Sequence, residues 1–98
     1  MKYYVFKLLP PRPTFIADMT PEEGALMQAH GLYWRGLMAK GLVLVFGPVA
    51  DPSGPYGLAV VRLDDQADPR PLWVDDPVIR ADRGFRFEVA PMLQAVVP

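Results

Sequence analysis

Apolar and polar residues alternate along this chain in two rhythms, and the places where the rhythm changes mark its elements. Residues 3–9 are rich in aromatic and branched side chains. They stop at Pro10-Pro11, where the backbone runs out of N–H donors. This pattern predicts a strand with Tyr3, Val5, Lys7 and Leu9 on one face and Tyr4, Phe6 and Leu8 on the other. Both faces are largely apolar, whereas a sheet covered on one side only carries a wetter second face. Residues 42–46 form an unbroken apolar run after Gly41 and predict a strand buried on both faces. Gly47-Pro48 is expected to end its regular part. Asp51-Pro52-Ser53-Gly54-Pro55 follows as a hairpin loop, and residues 57–63 as a third strand. Residues 84–89 set Phe85, Phe87 and Val89 against Arg86 and Glu88, which predicts a strand with one wet side.

The other rhythm is helical. Thr20-Pro21-Glu22-Glu23 combines an N-cap residue, a proline suited to the first helical position and a glutamate placed for a capping box. A helix is expected from residue 21 to about 40, with Gly41 as its stop. At 100° per residue Leu26, Tyr33 and Leu37 share one line, with His30 and Trp34 on its flank. Residues 66–74 suggest a second, poorer helix interrupted by proline, and Asp75-Asp76-Pro77 reads as a break. Residues 10–19 form a loop with three prolines, and the segment from 91 to 98 is an apolar tail.

Strand, long helix, strand, strand, short helix, strand is the split βαβ order. It predicts a ferredoxin-like α+β fold, with an antiparallel sheet and both helices on one face. The opposite face then keeps large apolar side chains in water, at roughly 1.5–3 kcal/mol each. A symmetric homodimer packed sheet against sheet is the expected remedy.

Composition narrows the partners. Ninety-eight residues make one domain, here read as 1–98. Ten Lys+Arg against eleven Asp+Glu give a net charge of −1, without the basic face a nucleic acid requires. No run approaches the roughly 20 apolar residues of a membrane span. The first residues lack the apolar core of a secretion signal, so a cytoplasmic location is expected. The absence of cysteine excludes disulfides and thiolate chemistry. A lone histidine excludes a two-His metal site within one chain, so no metal is expected.

The chemistry-bearing candidates are few. His30 is the natural proton shuttle at neutral pH, because imidazole titrates there. Its position beside the apolar stripe suits either a cleft between helix and sheet or a core histidine bonded to backbone. Asp51 follows Gly47-Pro48 at the end of an apolar strand. It can initiate a turn through its own side chain. It can also orient His30, since the second strand returns antiparallel toward the helix's earlier turns. Asp76 reads as a helix stop and turn, or as a second carboxylate at the pocket mouth. Arg35, Arg83 and Arg86 offer guanidinium groups for an anionic substrate, or merely solvate the surface. Tyr33 and Trp34 are core or cleft wall.

Taken in order, His30, Gly41, Phe46-Gly47-Pro48-Val49-x-Asp51, Gly54, Asp76-Pro77 and Val89-x-Pro91 resemble the YCII-related family over nearly the whole chain. The resemblance implies a dimeric α/β barrel and an enzyme with a His–Asp pair in its cleft. Carried over by position, that pair is His30 and Asp51 as catalytic residues; beside them, Tyr33, Trp34, Arg35 and Asp76 are expected to bind the substrate. One relative removes chloride from a chlorinated aromatic ring, so elimination driven by proton transfer lies within the family's range. The expected activity is cofactor-free general acid–base catalysis of elimination, isomerisation or hydrolysis on a small aromatic or carboxylated substrate. The rival readings are a non-catalytic module that binds a small metabolite and a barrel-type monooxygenase or isomerase for aromatic compounds. The long proline loop and the proline-broken second helix depart from the family's pattern.

Overall fold

The computed structural model describes residues 1–98. Strand β1 (Lys2–Leu9) leads through a one-turn helix α1 (Phe15–Asp18) to the long helix α2 (Pro21–Ala39). Strands β2 (Val43–Val49) and β3 (Tyr56–Leu63) follow, then two short helices, α3 (Arg70–Val74) and α4 (Pro77–Arg80), and strand β4 (Arg86–Pro91). The strands form one antiparallel sheet in the order β2-β3-β1-β4. With the helices on one side, this is the ferredoxin-like α+β arrangement that the order of elements implies.

The long helix starts and stops as its sequence dictates. Thr20 Oγ1 accepts the Glu23 backbone N–H at 3.1 Å, and Glu23 Oε1 accepts the Thr20 N–H at 2.9 Å, closing a capping box. At the other end Gly41 takes φ +80°, the left-handed region that glycine enters without steric penalty. Its N–H donates to Met38 and that of Leu42 to Leu37, the paired bonds of a Schellman motif.

Three elements depart from expectation. Strand β2 runs through Gly47-Pro48 to Val49, because Pro48 lies on an edge strand that needs no donor there. It is not buried on both faces: a register shift between Val43 and Val45 leaves Leu44 39% and Val45 53% exposed. The proline loop contains α1, whose Phe15 is buried. Asp75-Asp76-Pro77 is no simple break, since Asp76 caps α4.

The core divides in two. One cluster joins Tyr4 and Phe6 of β1 to Val61 of β3 and to Trp34 and Leu37 of α2. The other joins Leu8 to Phe15, Val78 and Phe85. The second cluster anchors the proline loop: Phe15 meets Phe85 edge to face at 5.2 Å. Gly84 lies against Pro11, whose Cβ leaves no room for a side chain there.

From outside, Arg12 clamps this loop to α2. Its guanidinium donates to both Glu23 oxygens, at 2.7 and 2.8 Å, and to Asp18 Oδ1 at 2.7 Å. That fork, with the Thr20 N–H, pulls the Glu23 carboxyl down from its usual 4.5 to about 2. A carboxyl whose folded pKa is depressed stabilises the fold fully above its unfolded pKa, and loses that contribution as pH falls through the folded one. The clamp therefore weakens between pH 4.5 and about 2. Acid unfolding followed by circular dichroism should show a transition in that window, and Arg12→Met should move its midpoint to higher pH. An unmoved midpoint would mean that the clamp does not hold the loop.

Candidate functional site

Between the two core clusters the helices and the sheet do not meet, which leaves a cavity of about 300 Å³. Its walls come from β1 (Phe6, Leu8), α2 (Met27, His30, Trp34), β2 (Phe46) and β4 (Phe87), and Phe15 and Ile16 of the proline loop close one side. Gly31, Gly47 and Gly57 line it as well, and a Cβ on Gly31 would meet nothing within 4 Å.

His30, the chain's one histidine, stands in the cavity wall. The spacing 23, 27, 30, 34, 37 sets one face of α2, with Glu23, Trp34 and Leu37 buried and His30 half-buried along it. The imidazole Nδ1 lies 2.7 Å from Asp76 Oδ2. The same oxygen accepts the Trp34 indole N–H at 2.7 Å, while Oδ1 accepts the Val78 N–H at 3.0 Å. The carboxylate is wholly buried and has three N–H partners, as a buried charge requires.

A carboxylate only accepts, so with Asp76 ionised Nδ1 carries the hydrogen that joins them. In neutral imidazole Nε2 then holds the lone pair. It has no hydrogen bond within the chain, and the side chain keeps 15% exposure at the cavity.

The expected contact between His30 and Asp51 does not form. Strand β2 does return to the cavity, where Phe46, Gly47 and Pro48 stand in the wall. Asp51 lies past the strand, in a polar cleft of about 390 Å³ with Lys7, Arg12 and Arg86 that adjoins the cavity at Pro10, Pro55 and Tyr56. Its carboxylate accepts the Ser53 hydroxyl at 2.7 Å and the Ser53 N–H at 2.8 Å, and these bonds lower its pKa. The turn reading of Asp51 is therefore the one the structure takes, and Asp76 partners the histidine.

The other expected residues separate. Trp34 stands in the cavity wall and binds Asp76. Tyr33 turns aside: its hydroxyl donates to the Leu72 carbonyl at 2.7 Å, and its ring packs against the first core cluster. Burial, then the charges of Asp75 and Asp76, push its phenol up to about 12. Arg35 is exposed on the far side of α2 and does not reach the cavity. Arg83 is paired with Glu22 and Arg86 with Glu88, both at the surface.

Sequence reasoning set Asp76 at the pocket mouth, and it lies behind the imidazole instead. The local signal that could have raised it, aspartate followed by proline at a helix start, is not unique. Asp51-Pro52, Asp68-Pro69 and Asp76-Pro77 each fold so that the carboxylate accepts the N–H two residues on. Only the third is carried under α2.

A half-buried imidazole held by a buried carboxylate thus stands at a cleft in a ferredoxin-like scaffold. The chain belongs to the YCII-related family: the model of the YCII-related domain matches residues 1–93. No curated protein matches it significantly. No helix is long and apolar enough to cross a membrane.

Asp76→Ala should strand the indole and Val78 N–H groups, at about 1–3 kcal/mol for each buried orphan. Asp51→Ala should leave the denaturation midpoint nearly where it was. Urea unfolding of the two variants checks this, and equal midpoints would contradict the assignment.

Proposed function

We propose that the protein is a small-molecule enzyme in which His30 and Asp76 perform general acid–base catalysis without a cofactor. One observation carries this reading. The imidazole is fixed through Nδ1 by a buried carboxylate, and its Nε2 is left free at an apolar cavity. A core histidine has no need of an open cavity, and a merely binding one has no need of an ionic partner behind it.

The chemistry follows from the geometry. Nε2 takes a proton from a substrate held in the cavity, and Asp76 stabilises the imidazolium that forms. The same Nε2–H then returns the proton at another atom, giving isomerisation, or leaves it while a group departs, giving elimination. The Trp34 N–H shares Oδ2, so the carboxylate cannot swing toward the ring and its charge stays in place. A base so placed contributes about 10²–10⁴ in rate.

A screen of small carbon acids in D₂O for protein-dependent deuterium uptake should find substrates. His30→Gln should then lose about 10²-fold or more of that exchange. Exchange that survives within about threefold would end the catalytic reading, and a ligand that binds without any exchange would favour the binding module.

The functional unit is a homodimer in this reading. The sheet face away from the helices presents Val5, Val45, Leu58 and Val60, none of them buried. Lys7 and Glu88 stand opposite each other on the same face, so it carries both charges and can complement a second copy of itself. Light scattering at micromolar concentration should give twice the chain mass, and Val45→Glu should give the monomer. A monomeric unmodified protein would refute the pairing.

A further inference from the structure

The cavity's lining also restricts what can enter it. We infer that the substrate is a compact, uncharged ring compound, and that carboxylated substrates are rejected. This rests on the reading of the cavity as the substrate site and names the class it takes.

Charge comes first. None of the twenty lining residues is Lys, Arg, Asp or Glu. The nearby cations are spent or remote. Arg12 is held by Glu23 and Asp18, Arg86 by Glu88, and Arg35 is exposed. Lys7 sits over the Tyr56 ring, 4.5 Å from its centroid, and lines the other cleft. A protonated His30 adds no net charge, because Asp76 lies 2.7 Å behind it. A carboxylate entering here gives up its water without gaining a counter-ion, which is unfavourable.

Shape comes second. Phe6, Phe15, Trp34, Phe46, Phe85 and Phe87 stand around the void, several already meeting edge to face. Such walls offer ring faces and edges to a further ring. About 300 Å³ is at the small end of ligand pockets and holds one substituted ring. His30 Nε2, which has no hydrogen bond within the chain, pairs with one hydroxyl or polarised C–H of that ring.

Amide NMR titration with three probes of equal size tests this. Benzyl alcohol and acetophenone should saturate and shift the Gly31, Gly47 and Gly57 resonances, with benzoate at least about tenfold weaker. Benzoate binding as tightly as benzyl alcohol, or failure of both neutral probes to shift these amides, would overturn the inference. Gly31→Leu fills open space at the wall and improves helix propensity, so it should fold and weaken neutral binding at least about tenfold. Unchanged affinity in that variant would place the probes elsewhere and overturn the inference too. The titration and the deuterium-exchange screen, both on the unmodified protein, together separate the two readings. Retained preference for neutral rings with no proton exchange in the unmodified protein defeats the catalytic reading alone. Lost preference with exchange intact defeats only the substrate class.

Discussion

The burial of one carboxylate organises this molecule. Asp76 has no exposure to water and holds three N–H groups from three places in the chain. A charge removed from solvent is tolerated only when its partners are already in position. Those partners therefore fix the start of α4, the Trp34 indole and the His30 ring together. The imidazole tautomer, and with it the direction in which the free nitrogen points, follows from this arrangement rather than from anything near the cavity mouth.

The cavity results from a core that closes in two pieces. Phe6 and Trp34 belong to one cluster, Leu8 and Phe15 to the other, and Gly31 of α2 stands at the gap, where a Cβ would meet nothing within 4 Å. Close packing normally removes such space. Here the proline loop supplies the missing wall, held inside by Phe15 on Phe85 and outside by the Arg12 fork.

Much of the scaffold was legible because its signals are local. The Thr20–Glu23 box, Pro21 and Gly41 bound α2 to within a residue, and the alternation of Tyr4, Phe6 and Leu8 identifies the buried face of β1. His30 was legible for the same reason, since helical periodicity puts it beside the buried stripe. The misreadings also have local causes. Proline at 48 suggests an end to a central strand but is harmless on an edge. Helix α4 has four residues, too few to show a period.

Sequence alone determined the order of elements, the absence of thiol chemistry and the one residue able to move a proton at neutral pH, because each depends on residue type or short-range spacing. The identity of that residue's partner was decided by tertiary structure. Three aspartates, 51, 68 and 76, precede proline and make the same turn, so nothing within a few residues distinguishes them. What separates them is the packing of α2 against α4, which brings His30 and Asp76 together across 46 residues of chain.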